Sequence, residues 1–214
     1  MDLKLDRNEF NFFLKALAIN GKKIIDKSVD TYNQLFHLGP EESKAIYSEI
    51  GEKLEKKGDF EGAINTYRKL LAHDPNNVDA LFNIGKTLLT IGRLPEAIEA
   101  LKKVTVLDRN FAQAFYLLGS AHFSRDENDE ALAAFEKAVT LNPGNAEAWY
   151  KVGLIHDGRH EHDAAIEAYQ KVIALNPAHI KAYQSLGFTY EAKGMRDEAV
   201  KYFKKSIEIE ERKG

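Results

Sequence analysis

The sequence predicts an all-α protein, a solenoid of five helix-turn-helix repeats preceded by a degenerate N-terminal helical pair. Three observations predict it. Glycine recurs at Gly51, Gly85, Gly119, Gly153 and Gly187, each 34 residues after the last. Alanine keeps the same spacing at Ala63, Ala97, Ala131, Ala165 and Ala199. Within each period, apolar residues fall at helical intervals twice, with a turn between. A fixed period of this length marks stacked two-helix units, none of which can bury its apolar side alone. Five such units follow without insertion: 44–77, 78–111, 112–145, 146–179 and 180–213.

Residues 1–43 read as two further helices, a degenerate repeat or cap. Asp6 and Glu9 resemble a capping box, and Phe10, Phe13, Leu14 and Leu17 follow with helical spacing. Asn20-Gly21 breaks that helix. Ile25, Val29, Tyr32 and Phe36 then form a second stripe, which Gly39-Pro40 ends. Leu17 and Val29 stand where glycine and alanine belong, so this pair packs more loosely than a full repeat.

The repeats themselves are regular. In the fourth, Trp149, Val152, Gly153 and His156 share one helical face, and Ala165, Tyr169, Val172 and Ile173 form the inward face of the partner helix. Asn176-Pro177 stops it, because proline disfavours helix for the residue before it. The third repeats this with Phe115, Leu118 and Gly119, then Ala131, Phe135 and Ala138, then Asn142-Pro143. Glycine on the first helix is expected to face alanine on the second, so that the backbones approach closely. Arg109 and Glu211 replace the closing proline, so the second repeat's last helix is expected to run on into the third repeat. Asp126 and His160 occupy the turn where Gly58, Gly92 and Gly194 stand elsewhere. Pro95 falls at the start of a second helix, where proline is tolerated. No further helix is expected after Glu211 to cover the last apolar face.

These units resemble tetratricopeptide (TPR) repeats. The family's aromatic-x2-Leu-Gly opening is approached by Trp149 to Gly153, and its closing Asn/Asp-Pro by Asp74-Pro75, Asn142-Pro143 and Asn176-Pro177. The resemblance implies a right-handed superhelix whose first helices line a concave groove that binds peptides or partner helices.

Composition narrows the function. The chain has 214 residues, 44% hydrophobic and 29% charged, enough for a packed core. With no cysteine there is no disulfide framework, zinc ribbon or cysteine nucleophile. The net charge of −3 argues against a nucleic-acid binder. Apolar runs are too short to span a bilayer, and the mixed charges of residues 1–7 do not make a signal peptide. The expected location is the cytoplasm. No phosphate loop, nucleophile elbow or paired metal-binding helix motif appears, so the chain reads as a non-enzyme without cofactor.

Positions recurring every 34 residues define the expected groove: Phe82, Lys86, Leu89, Tyr116, Ser120, Phe123, Tyr150, Leu154 and Phe188. An apolar floor with a polar rim suits an amphipathic helix or extended peptide. The competing reading is that these aromatic residues only support packing between repeats. Chaperone-binding TPRs hold a terminal carboxylate with asparagine, lysine and arginine at fixed register, and the corresponding sets here (Ser48, Glu52, Asn83, Gln113 and Leu117, or Tyr116, Ser120, Lys151, Lys181 and Ser185) lack that pattern.

His156, His160 and His162 form the one cluster with metal-ligating character. Against a metal site, His160 lies at the inter-helix turn and His156 at a position that packs inward. Phe10, Phe12, Phe13, Tyr32 and Phe36 supply a candidate self-association surface.

A narrower resemblance, to the magnetosome-associated TPR proteins of magnetotactic bacteria, rests on the five ungapped repeats, Lys22-Lys23, Val29 to Tyr32 and Phe203-Lys204-Lys205. It implies a homo-oligomeric scaffold on the cytoplasmic face of magnetosome vesicles, partnered by itself and by magnetosome membrane proteins. The alternatives are a generic bacterial TPR adaptor for an unrelated peptide and a metal-binding regulator using the histidine cluster.

Overall fold

The computed structural model describes residues 40–212. Phe10, Phe12, Phe13, Tyr32 and Phe36, and with them the expected N-terminal pair, lie outside the described residues. Among the described residues there are ten α-helices and no strand. They are α1 (Pro40–Lys56), α2 (Phe60–His73), α3 (Val78–Thr90), α4 (Leu94–Leu107), α5 (Ala112–Phe123), α6 (Asn128–Leu141), α7 (Ala146–Gly158), α8 (His162–Leu175), α9 (Ile180–Ala192) and α10 (Arg196–Glu211). Two compact units make up the chain, Met1–Ile91 and Gly92–Gly214.

Local chemistry sets the helix ends. Asp59, Asn77 and Asn145 cap α2, α3 and α7 by accepting from the backbone N–H three residues on. His179 does the same for α9 through a ring nitrogen, Nδ1, 3.1 Å from the Ala182 amide. Pro95 stands in the first turn of α4, where an N–H has no intrahelical partner anyway. The expected run-on at Arg109 does not occur. α4 ends at Leu107, and the Asp108 carboxylate accepts from the Asn110 amide at 2.9 Å. An aspartate-centred turn thus replaces the Asn-Pro stop, because the side chain offers the backbone an alternative to helix.

The turns between paired helices share one geometry. Gly58, Gly92 and Gly194 have φ of 76°, and at the same register Asp126 and His160 have φ of 58° and 60°. The left-handed residue is demanded by the turn whatever side chain it carries, at a cost in strain for the two non-glycines.

Packing within each hairpin corrects one expectation. Four of the five repeat glycines do not face alanine; they face an aromatic ring on the second helix. A Cβ on Gly119 would lie 2.8 Å from the Phe135 ring, and one on Gly187 2.5 Å from Phe203. Gly51 and Gly153 stand in the same relation to Tyr67 and Tyr169. The missing side chain makes room for a ring, and Tyr67, Phe135 and Tyr169 are fully buried as a result. The register alanines from Ala63 to Ala199 are buried independently, at 0–3% exposure.

Candidate peptide-binding face

Within each unit the first helices of successive repeats present side chains to one another. In the first unit, α1 and α3 meet there. Lys86 Nζ on α3 lies 2.9 Å from Glu55 Oε2 on α1, and the Thr87 hydroxyl donates to the same carboxylate. Phe82 and Leu89 flank this pair, both half-buried. Here the face carries a cation and an anion that satisfy each other.

In the second unit the face is built from α5, α7 and α9. Tyr116 packs its ring 5.9 Å from Phe135 and joins Trp149 and Phe123 around a buried cluster of Phe135, Val152 and Ile155. Lys151 Nζ sits 4.8 Å over the Phe123 ring. Tyr150 lies between Tyr169 (centroids 5.7 Å) and His179 (5.0 Å), with its hydroxyl 3.4 Å from Ser185 Oγ. Ser120 turns its hydroxyl back onto the Tyr116 carbonyl. Leu154 packs on the cluster around Tyr169 and Leu186. Phe188 is 60% exposed and touches Phe203 edge-on, with centroids 5.0 Å apart. Tyr116 and Tyr150 therefore share in the packing between repeats while also lining the face.

Asp157 falls at the same groove register as Leu89 and Phe123. Its Oδ1 accepts from the Thr189 hydroxyl at 3.1 Å and lies 3.4 Å from His162 Nδ1. The usable signal was the register: Asp157 is the counterpart of Glu55, and Thr189 of Thr87. Behind this pair, Tyr169 and its counterpart Tyr67 carry the buried hydroxyls without a hydrogen-bond partner. Ser185 lies beside the Tyr169 hydroxyl without closing a bond to it. Burial, then the nearby Asp157 charge, pushes Tyr169 ionisation far above the usual range; burial and then Glu55 do the same for Tyr67.

The three clustered histidines part company. His156 Nδ1 faces Glu161 Oε2 at 2.6 Å, while the rings of His160 and His162 meet edge-on, 5.9 Å apart. The left-handed turn at His160 is what separates it from the helical face of His156. Among the described residues no three histidine or carboxylate side chains converge as metal ligands. The His156–Glu161 pair is a structural repeat of His122–Glu127, also 2.6 Å, one period earlier.

Models of the tetratricopeptide repeat match residues 54–121, 104–146, 116–180 and 180–213. The chain belongs to the tetratricopeptide-repeat family, and it is a protein-interaction scaffold of that class. Within the family it is similar to MamA. One crystal structure of MamA is 55% identical with a TM-score of 0.74, the match covering 77% of this chain and 96% of that one. The MamA of Desulfovibrio magneticus RS-1, from residue 41 to its end, is 29% identical at a TM-score of 0.74, covering 79% and 96%. YrrB, described as a TPR protein with an unusual peptide-binding site, is 25% identical at a TM-score of 0.69, covering 76% and 84%. No curated protein matches the chain. Among the described residues no helix is long and apolar enough to cross a membrane.

Proposed function

We propose that this chain is a non-enzymatic scaffold that self-assembles and holds partner peptides or helices against its first-helix face, as a magnetosome-associated coat protein. Its partners in this reading are further copies of itself and magnetosome membrane proteins, and it works in the cytoplasm at the outer face of the vesicles. The observation that carries the proposal is the 55% identity to MamA over 77% of the chain. The face itself supports it: aromatic and aliphatic side chains stand half-buried there, with Phe188 largely exposed, as a surface awaiting a partner would have them. Phe10, Phe12, Phe13, Tyr32 and Phe36 remain the proposed self-association residues.

Light scattering tests the assembly. The full chain is expected to form large, concentration-dependent assemblies, and a chain beginning at Ser43 is expected to be monomeric. A monomeric full chain at high micromolar concentration overturns self-assembly. Sedimentation of the full chain with purified magnetosome vesicles, but not with protein-free liposomes, is the expected result for the membrane-protein partner.

A further inference from the structure

The two units carry the same register with different chemistry, and the difference points to a ligand. In the first, Lys86 neutralises Glu55 and Thr87 donates to it. In the second, Thr189 still donates to Asp157, but Phe188 stands at the Lys86 position. Asp157 thus keeps the neutral hydroxyl donor, loses the lysine and has the His162 ring 3.4 Å from Oδ1.

We propose that Asp157 and Phe188 form a subsite for a guanidinium or alkylammonium side chain, so that the second unit selects partner segments carrying arginine or lysine. The subsite rests on the reading of this face as a peptide-binding surface, and gives that surface its specificity.

Six observations converge. The Asp157 side chain is 29% exposed, open enough for a ligand and shielded enough for its charge to count. Its hydrogen-bonding contacts fall on Oδ1, from Thr189 and His162, and leave Oδ2 to a newcomer. Phe188, next in sequence to the Thr189 donor and at the register of Lys86, offers a largely exposed ring, and an aromatic face attracts a cation. The same unit already uses that contact internally, at Lys151 over Phe123. Cations close in sequence are engaged elsewhere: Lys193 pairs with Asp163 and Arg159 with Asp129. Behind the carboxylate lies the Tyr169 hydroxyl, a fully buried polar group without a hydrogen-bond partner among the described residues. A carboxylate with an exposed ring at the register where Lys86 meets Glu55 suits an arginine fork or a lysine with its alkyl stem, through a charge-assisted hydrogen bond and stacking together.

Saturation-transfer NMR on the full chain tests this, because it tolerates large assemblies and weak ligands. The probes are acetyl-Gly-Arg-Gly-amide and the same peptide with norleucine for arginine. The arginine peptide is expected to bind about tenfold more tightly, with the advantage shrinking at high salt. Asp157→Asn is expected to remove that advantage, bringing the arginine peptide down to the level of the norleucine peptide. Phe188→Lys should do the same by restoring the lysine of the first unit, and its exposure protects the fold. Equal binding of both peptides, unaltered by either substitution, overturns the cation subsite and leaves the peptide-binding face standing. Absence of binding by both overturns the subsite together with the face as a short-peptide site.

Discussion

The first and fourth repeats are built on one frame and finished differently. Both set a glycine, Gly51 or Gly153, against a buried tyrosine, Tyr67 or Tyr169, whose hydroxyl has no partner. Both place a carboxylate on the face one helical turn after that glycine and give it a threonine donor from the next repeat. They diverge where Lys86 closes the first arrangement and Phe188 opens the second, and where His162 meets the carboxylate in place of Phe60. The frame is under a packing constraint that tolerates almost no change. The face above it is not, because its side chains end in solvent and a substitution there leaves no cavity behind.

The largest expected effect tests whether the frame is equivalent in the two places. Gly51→Ala and Gly153→Ala each drive a methyl group into a buried ring. We expect each to cost about 2 kcal/mol, since overpacking outweighs the ~1 kcal/mol gained in helix propensity. Urea denaturation measures it. A neutral result at one site would show that its tyrosine can withdraw, and that the two hairpins are not packed alike.

Exchanging the divergent position sharpens the comparison. Lys86→Phe should create a second arginine-preferring site by freeing Glu55, and saturation transfer on that variant should report about a doubling of bound arginine peptide. No gain would mean that the register alone does not make a subsite.

The turns give the next smaller effect. Gly58→Ala puts a side chain on a left-handed residue and should cost about 1 kcal/mol, whereas His160→Gly relieves that strain and should gain somewhat less, the looser unfolded chain taking part of it back. Opposite shifts in Tm are the expected pattern. A loss of stability in His160→Gly would instead assign the His160–His162 contact a structural role.

Acid response separates the units further. Glu127 is held below the usual carboxylate range of 4.5, first by its hydrogen bond to His122 and then by Arg125. A lowered carboxylate pKa stabilises the fold above the unfolded value and loses that contribution as pH falls through the folded one. Stability of the wild type should therefore fall more steeply below pH 4.5 than that of Glu127→Gln, as read from thermal melts across that range. Equal slopes would remove Glu127 from the acid response. The smallest change is expected for Tyr67→Phe and Tyr169→Phe. Removing an unpartnered buried hydroxyl should be neutral or stabilising by up to about 1 kcal/mol, and a clear loss at Tyr169 would show that its hydroxyl has a partner in solution.

The period of 34, the two helices per period and the register of Gly153, Ala165 and Asn176-Pro177 were all legible in the sequence, because helix spacing and turn chemistry are local properties. The turn position was legible too, from three glycines with Asp126 and His160 in the same register, whereas the left-handed backbone shared by all five is a finding of the structure. What faces the glycine was not legible. Sequence spacing places Gly153 and Ala165 in register, but helix rotation in the hairpin decides which side chain fills the gap, and Tyr169 fills it. The stop at Asp108 was also missed, since a capping side chain competes with helix by a margin that periodicity does not register. The candidate site divides in the same way. Recurrence picked out Tyr150, Leu154 and Phe188, whereas the union of Asp157, Thr189 and the buried Tyr169 hydroxyl depends on one helix reaching across to the next. Local preference set each element, and the stacking of one repeat on another decided which polar groups met and which were left for a partner.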